Sequence, residues 1–261
     1  MRAAIYQSDG ATLSPAQRVE KLSAELHQRD VDLLVCPELF LSGYNAGDDI
    51  AAYAETHDGP MAHQIAQLAR DTSTAIVYGF PERDEDQIFN AANCFSARGD
   101  FVATHRKLVL PPGFEGDFFA TGEGLTLFDL DGVRCGVLIC YDVEFPESVR
   151  ALAAAGAQLV IVPTALGVDW PHVANKLVPT RAFENGVWLM YANHAGEENG
   201  LEYLGHSCIA APDGSDAARA DSLETVIEAN VFVRAVKNAQ DRLPYISTSG
   251  ALSSRLASGA N

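Results

Sequence analysis

The chain has 261 residues, of which 48% are apolar and 20% are charged, a composition typical of globular proteins and not of disordered ones. Its formal net charge of −17 at pH 7 repels phosphate backbones, which argues against nucleic acid as a partner. We predict a single domain over residues 1–250 and a flexible tail over residues 251–261, where the chain turns polar and glycine-rich.

The N-terminal segment and the cysteines indicate the expected compartment. MRAAIYQSDG lacks the apolar core of a signal peptide, and no apolar run reaches the ~18 residues that span a membrane. We therefore expect a cytoplasmic protein with no membrane partner. The five cysteines are odd in number and widely spaced, which predicts reduced thiols. No histidine has metal-ligand spacing to another histidine or a cysteine, so we expect no zinc site, and no other metal or cofactor is implied.

Short apolar runs alternate with helical patterns in the first half of the chain. Strands are predicted at RAAIYQ, VDLLVCPE and TAIVYGF, and helices at PAQRVEKLSAELHQR and GPMAHQIAQLARD. The segment QIFNAANCFSARGDFVATHRKL alternates around a turn at Arg98-Gly99-Asp100, which predicts a β-hairpin that ends at Lys107. The next segment, PPGFEGDFFATGEG, predicts a shaped loop and not a linker.

The second half repeats this order. Strands are predicted at RCGVLICYD, AQLVIVPTA and VWLMYANHAG, and helices at PESVRALAAAG and VANKLVPTRAFENG. Pro37 after DLLVC corresponds to Pro163 after QLVIV, which indicates two similar halves. If each half supplies a sheet with helices on one face, the sheets pack back to back as a four-layer αββα sandwich.

Three unusual residues follow strands of the predicted sheets. Glu38 comes just after LLVCP, Lys107 ends the hairpin, and Cys140 follows GVLI. Because sites in open α/β sheets gather outside the carboxyl ends of strands, we expect the three side chains to share one pocket. A thiol is a modest nucleophile near neutral pH, and a neighbouring carboxylate such as Glu38 can accept its proton during attack.

Addition of a thiolate to a carbonyl places negative charge on oxygen. A fixed cation and a backbone N–H lower that barrier, and Lys107 and the N–H of Tyr141 are the candidates. The helix predicted at PESVR starts shortly after Cys140, and its positive dipole end is expected to favour the thiolate.

These residues resemble the nitrilase or carbon–nitrogen hydrolase superfamily, whose members use a Glu-Lys-Cys triad. The resemblance extends over nearly the whole chain, through CPELFLSGYN, HRKLVL, ICYDVEFPE, VPTA, RAFENG and YANHAG in that order. It implies the αββα sandwich and the triad Glu38, Lys107 and Cys140. It also implies that Glu115, in a loop that continues to Phe119 and Gly122, joins the site to position substrate or support proton transfer.

The resemblance implies hydrolysis of a small aliphatic primary amide through a cysteine thioester. CYDVEFPE, PELFLSGYN and VYGFPER look closest to bacterial aliphatic amidases, both those that act on 5-aminopentanamide and R-selective ones. Tyr141 stands where true nitrilases tend to carry tryptophan. The alternatives are an N-carbamoyl amine or amino acid hydrolase, a nitrilase with the same triad, and a catalytically silent binding protein of this fold. Family members usually dimerise, and DRLPYIS resembles their crossing C-terminal segment, so a homodimer or higher homo-oligomer is expected.

Six further residues near the predicted strand ends are assigned to substrate binding. They are Tyr44, Tyr141, Glu144, Thr164, Ala165 and Asn193. For Glu144, a helix cap or a pair with Arg150 is an alternative role. A papain-like Cys-His-Asn arrangement that uses His194 also remains open, although it leaves the Glu-Lys-Cys match unexplained.

The loops around the predicted site are acidic and contain no arginine. Their acids are Asp48, Asp49, Asp169, Glu197 and Glu198. Because bidentate pairing with arginine is the usual way to hold a substrate carboxylate, we expect neutral or amine-bearing amides to be preferred over amides with a free acid.

Overall fold

Two six-stranded β-sheets form the centre of the molecule in a computed structural model, which describes residues 1–258. In spatial order, the first sheet contains β14 (Thr225–Asn230), β1 (Arg2–Gln7), β2 (Leu33–Val35), β3 (Ala75–Asp84), β4 (Gln87–Phe95) and β5 (Phe101–Arg106). The second contains β13 (Asp216–Arg219), β12 (Cys208–Ala210), β9 (Trp188–Ala192), β8 (Leu159–Pro163), β7 (Val133–Val137) and β6 (Thr126–Leu130). A separate hairpin pairs β10 (Glu197–Glu198) with β11 (Leu201–Glu202).

Helices pack against the outer faces of the two sheets, and two further helices form the C-terminal end of the chain. They are α1 (Pro15–Leu26), α2 (Asp49–Tyr53), α3 (Pro60–Thr72), α4 (Phe114–Phe118), α5 (Pro146–Ala154), α6 (Val178–Asn185), α7 (Val233–Arg242) and α8 (Tyr245–Ser258). A 3₁₀ turn spans Cys140–Glu144, and a π-helical turn over Val173–Leu177 leads into α6. None of the helices within residues 1–258 combines the length and the apolar character needed to cross a membrane.

The predicted repeat of two similar halves is confirmed by the strand order. In the first sheet β1, β2 and β3 are parallel, and in the second β7, β8 and β9 are parallel. Each parallel set continues on both sides into antiparallel strands. The carboxyl ends of both parallel sets therefore deliver loops to the site described below.

The strands are apolar on both faces because apolar cores lie between the two sheets and between each sheet and its helices. Ile5 and Val35 of the first sheet share a core with Val137 and Ile161 of the second, so the sheets pack back to back. On the outer faces, α1 and α3 pack against the first sheet and α5 and α6 against the second. The predicted αββα sandwich is confirmed.

The predicted hairpin before Lys107 is also confirmed. β4 pairs with β5 in antiparallel register, and Gly99 in the turn between them has φ = 72°, a conformation that costs glycine little. The N–H of Lys107 donates to the carbonyl of Asn90 at 2.8 Å and so continues the ladder by one residue. This backbone bond fixes the start of the lysine side chain.

Two segments differ from the predicted elements in ways that serve the site. β2 ends at Val35, before the predicted VDLLVCPE run ends, because Pro37 has no N–H to donate and the chain leaves the sheet there. The predicted loop PPGFEGDFFATGEG contains the short helix α4, which carries Glu115.

The C-terminal region is helical as far as it is described. Residues 251–258 of the predicted tail continue α8, and residues 259–261 lie outside the described residues, so the predicted mobility stays a prediction. DRLPYIS forms the end of α7 and the start of α8, where Tyr245 makes an edge contact with Phe183 of α6. The single domain over residues 1–250 and the homodimer stay predictions.

Candidate active site

Loops that follow three different strands bring the predicted catalytic residues together. Glu38 follows β2, Lys107 follows β5, Glu115 lies on α4, and Cys140 begins the 3₁₀ turn after β7. The backbone N–H of Glu38 donates to the carbonyl of Thr164 at 3.3 Å, which joins the loop after β2 to the loop after β8. The site therefore lies across the two halves of the fold.

A buried ammonium group links two buried carboxylates. Nζ of Lys107 lies 2.7 Å from Oε1 of Glu38 and 2.8 and 2.7 Å from the two carboxylate oxygens of Glu115. Lys107 and Glu38 are fully buried and Glu115 is 1% exposed. An unpaired buried charge is costly, so removing any one of the three groups would leave the charges of the other two unbalanced.

Asn90 on β4 completes this cluster and was not predicted from the sequence. Its Nδ2 donates to Oε1 of Glu38 at 2.7 Å and to Oε2 of Glu115 at 3.1 Å. The only sequence signal is a polar residue at a buried strand position, in NAAN. Asn90 holds the two carboxylates in fixed orientations.

Glu38 is left with one oxygen bound and one oxygen free. Within residues 1–258, Oε2 of Glu38 is buried and has no hydrogen-bond partner. Burial raises the pKa of Glu38 to about 7, against the opposing charge of Lys107 and with a further contribution from Glu115. A carboxylate with a free oxygen and a pKa near neutrality is suited to accept and return a proton.

Cys140 is held in a strained backbone conformation and remains a thiol at neutral pH. Its φ of 44° lies in the left-handed region, which costs a residue with a side chain about 1–3 kcal/mol. Burial and the Glu38 charge raise the pKa of the Cys140 thiol above its ordinary value, although Lys107 opposes them. Burial and the nearby carboxylates set the direction of this shift, and the expected contribution of the following helix stays a prediction. A Cys140 thiol that attacks a carbonyl carbon would therefore need a base to take its proton.

Tyr44 contacts the cluster of Glu38, Lys107 and Glu115 directly. Its hydroxyl donates to Oε1 of Glu115 at 2.7 Å, so its first role is to orient that carboxylate. The backbone N–H groups of Tyr44 and Asn45 both donate to Oε2 of Glu198, at 3.0 and 2.8 Å. Glu198 is 2% exposed and forms an ion pair with Arg18 at 3.3 Å. Its predicted role in attracting substrate is therefore wrong: Glu198 anchors the Tyr44 loop.

Thr164, Ala165 and Asn193 follow the ends of β8 and β9, but Asn193 does not face substrate. Its Nδ2 donates to the carbonyls of Leu166 and Gly205, and its Oδ1 accepts from the N–H of Leu166 at 2.7 Å. Asn193 thus fixes backbone and has no free donor for a ligand. Thr164 donates through its hydroxyl to the hydroxyl of Tyr191 at 3.0 Å, and Ala165 is buried.

His194 does not form a papain-like arrangement with Cys140. Its Nε2 donates to the backbone carbonyl of Glu38 at 2.8 Å, and its Nδ1 faces the hydroxyl of Ser8 at 3.3 Å. Burial and the Arg18 charge lower the pKa of His194 to about 3, so the ring is neutral. Both ring nitrogens are engaged in holding loops. Within the described part of the chain, no group of three or more His, Cys, Asp and Glu side chains is arranged to bind a metal ion.

Asp142 is a positioning residue that the sequence did not reveal. Its Oδ1 accepts from the N–H groups of Val109 and Leu108 at 2.8 and 3.1 Å, and its Oδ2 accepts from the N–H of Ile139 at 3.0 Å. One fully buried carboxylate thus ties the backbone after Lys107 to the backbone before Cys140. The sequence signal for Asp142 is an acid inside an otherwise apolar run, in LICYDV.

We expect Asp142→Asn to lower kcat about 10- to 100-fold with a smaller change in KM. The amide presents a donor where the carboxylate accepts an N–H, so the distance between Lys107 and Cys140 changes, and small displacements of reacting groups reduce rates strongly. Steady-state kinetics of the variant measure this effect. Asp129→Asn, at an exposed acid that pairs with Arg134, is the matched control. An unchanged kcat in Asp142→Asn contradicts the positioning role.

The chain is similar to known hydrolases over most of its length. A family model described as carbon-nitrogen hydrolase matches residues 2–240. A protein of Pseudomonas protegens named as the hydrolase in the pqqF 5′ region is 45% identical over 231 residues, 87% of this chain and 81% of that protein. An (R)-stereoselective amidase of a Pseudomonas species is 35% identical over 203 residues, 76% of this chain and 73% of that protein.

Solved structures of an amidase from Nesterenkonia sp. share the whole architecture. One superposes with a TM-score of 0.83 at 32% sequence identity and covers 93% of this chain and 94% of that one. A mutant of the Nesterenkonia amidase is in complex with butyramide. Another mutant carries the acetamide moiety of fluoroacetamide, added covalently at the active-site cysteine.

Proposed function

Because this chain belongs to the carbon-nitrogen hydrolase family, we propose that it converts a small aliphatic primary amide into the carboxylic acid and ammonia. The family and the named relatives make it a hydrolase of non-peptide carbon–nitrogen bonds. The observation that supports the mechanism is the free oxygen of Glu38, in a cluster whose charges act on the Cys140 thiol.

Acylation begins when Sγ of Cys140 attacks the amide carbonyl carbon and Glu38 takes the thiol proton. The carbonyl oxygen becomes negative, and Nζ of Lys107 and the N–H of Tyr141 stabilise it. The Tyr141 N–H belongs to the first turn after Cys140, where backbone donors have no partner inside the helix. When the intermediate collapses, the carbon–nitrogen bond breaks, Glu38 gives its proton to the nitrogen, and ammonia leaves a thioester on Cys140.

Deacylation uses the same groups in reverse. Glu38 takes a proton from water, the hydroxide attacks the thioester, and the carbon–sulfur bond breaks as the proton returns to the sulfur of Cys140. The sum is amide plus water to acid plus ammonia. Glu115 and Asn90 hold Glu38 and Lys107 in place through both steps.

The choice of an amide over a nitrile or a carbamoyl compound is supported by two of the similar proteins. The Nesterenkonia amidase is in complex with butyramide, and the Pseudomonas relative is named an amidase. An ammonia-release assay across matched amides, nitriles and N-carbamoyl compounds of equal chain length tests this choice, with Cys140→Ala as the blank. We expect the amide to give the highest kcat/KM, and a higher value for either other class contradicts the proposal.

The pH dependence of kcat/KM reports the state of Glu38. Only ionised Glu38 accepts the thiol proton, so kcat/KM is expected to fall as pH drops through about 7, where Glu38 gains a proton. Glu115→Gln removes a neighbouring negative charge that raises this pKa, so the fall should move to lower pH. Asp48→Asn, at an exposed acid, should leave it in place. A fall that stays at the same pH in Glu115→Gln contradicts the assignment of Glu38 as the base.

A further inference from the structure

A cleft of about 320 Å³ lies where β5 and β6, the edge strands of the two sheets, run beside each other. Oγ1 of Thr126 on β6 lies 3.5 Å from the carbonyl oxygen of Thr104 on β5, which joins the two strands. The lining of the cleft includes His57, Glu82, Phe101, Thr104, Arg106 and Glu123. None of them is a predicted catalytic or substrate-binding residue, and the proposed mechanism does not use them.

Glu82 is the most buried residue of the cleft and has one unpaired carboxylate oxygen. Its side chain is 4% exposed, and its Oε2 accepts from Nε of Arg106 at 2.6 Å. No donor among the described residues reaches its Oε1, since Nδ1 of His57 is 3.9 Å away, which is too far for a hydrogen bond. Oε1 is accessible from the cleft, so a ligand with an N–H group would satisfy an acceptor that the protein leaves open.

The acids predicted to contact or select the substrate do not offer this arrangement. Glu198 is buried but pairs with Arg18, and Glu144 is only partly buried. The alternative pair of Glu144 with Arg150 does not occur within residues 1–258. The remaining acids of this group are exposed, namely Asp48, Asp49, Asp169 and Glu197.

The charges around the cleft favour a cation. Arg106 is already held by two carboxylates, Glu82 at 2.6 Å and Asp84 at 2.8 Å, and its guanidinium lies 3.9 Å from the ring centre of Phe89. Glu123 adds an exposed carboxylate on the other side. Three negative charges therefore lie beside one guanidinium, and the excess negative charge attracts a cationic ligand.

An open aromatic surface also lines the cleft. Phe101 is 49% exposed, although its ring makes an edge contact with Phe95 at a centroid distance of 6.0 Å. The ring of His57 lies 5.1 Å from that of Phe101. The hydroxyl of Thr104 donates to Oδ1 of Asn93 at 2.6 Å, so it offers a ligand only its lone pairs. The cleft thus combines an aromatic surface with hydrogen-bond acceptors.

The cleft and the active site lie on opposite sides of one strand end. Successive side chains of a strand point to opposite faces of the sheet. Arg106, the last residue of β5, lines the cleft, whereas Lys107 pairs with the catalytic carboxylates. The N–H of Gly122 donates to the carbonyl of Lys107 at 2.7 Å, one residue before Glu123 of the cleft. The cleft is therefore separate from the active site but borders the backbone that holds it.

We propose that this cleft is a second ligand site, which binds a small molecule with one aromatic ring and an ammonium or amidinium group. The cationic N–H donates to Oε1 of Glu82, and the ring packs against Phe101 and His57. A volume of about 320 Å³ is at the small end of the range of ligand sites, which fits a molecule of this size. The amide hydrolysis proposed above is not a premise of this inference.

The test is calorimetric titration of the wild-type protein with 2-phenylethylamine, which is protonated at neutral pH, and with the uncharged 2-phenylethanol. We expect the amine to bind at least about 10-fold more tightly than the alcohol, because only the amine forms a charge-assisted hydrogen bond with Glu82. Glu82→Gln should weaken amine binding about 10-fold for the same reason. Asp86→Asn, at an exposed acid in the turn between β3 and β4, should keep the wild-type affinity.

A second variant keeps the test decisive if Glu82→Gln disturbs Arg106 and the fold. Phe101→Ala removes a half-exposed ring and should weaken amine binding about 3- to 10-fold through the lost aromatic contact. Cys140→Ala should bind the amine as the wild type does, which separates the cleft from the active site.

Three results would overturn the proposal. They are equal affinity for the amine and the alcohol, amine binding that is unchanged in both Glu82→Gln and Phe101→Ala, and no binding of the amine at millimolar concentration, which would mean that the cleft holds only water. Ammonia release is not measured in these titrations, so the second ligand site and the amidase function can fail independently of each other.

Discussion

Cys140→Ala is expected to abolish ammonia release, with kcat lower by at least about 10⁴, because the thioester cannot form without the sulfur. The variant should keep its fold, since only one sulfur atom is lost. Ammonia release and thermal unfolding measure the two effects.

Two other buried cysteines provide matched controls. Cys36 and Cys208 are fully buried in the outer apolar layers of the two sheets, and burial raises the pKa of each thiol. Cys36→Ala and Cys208→Ala should retain substantial activity, with a loss of stability on the order of 1 kcal/mol from the smaller side chain. Ammonia release by Cys140→Ala at a rate comparable to that of these controls contradicts the mechanism.

Glu38→Gln and Lys107→Ala are each expected to lower kcat by at least about 10², the usual effect of losing a general base or an oxyanion donor. The effects should not multiply in the double variant, because residues that act as one unit lose most of their benefit with the first substitution. Steady-state kinetics of the two single variants and the double variant measure the coupling.

Stability must be measured beside activity for these variants. Removal of Lys107 leaves Glu38 and Glu115 buried without a cation, which costs about 3–5 kcal/mol if both stay ionised. Glu38→Gln keeps the size and most contacts of the side chain, so it separates chemistry from folding. A double variant whose loss in kcat equals the product of the two single losses, with the fold intact, argues against a shared site.

The sequence predicted those parts of the fold that depend on local patterns. Short apolar runs that alternate with helical patterns predicted the strands of both sheets. The order of these elements predicted the repeat of two similar halves, which the strand order confirms. The hairpin placed Lys107 correctly because its turn has the glycine that the backbone requires. Glu38, Lys107 and Glu115 come together because the loops after β2 and β5 meet at one end of the sandwich.

The predictions that were wrong concern residues whose roles depend on contacts between segments far apart in the chain. From the sequence, Glu198 is an acid of a loop near the site that favours amine-bearing substrates. In the structure it is buried and pairs with Arg18, 180 positions away in the chain. Asn193 was assigned to substrate, but the donors and acceptors that surround it are backbone groups of loops whose approach no local pattern encodes. Asn90 and Asp142 were missed for the same reason, since a polar residue in an apolar run shows its partner only when the strands are paired.

Trapping the acyl-enzyme tests the proposed role of Cys140 most directly. Wild-type protein is mixed with a slowly hydrolysed amide, quenched in acid within one turnover, digested and analysed by mass spectrometry. We expect the peptide containing Cys140 to gain the mass of the acyl group less one hydrogen, and the peptides containing Cys36 and Cys208 to be unmodified. Ammonia release with no acyl group on Cys140, or with the acyl group on another residue, would contradict that role.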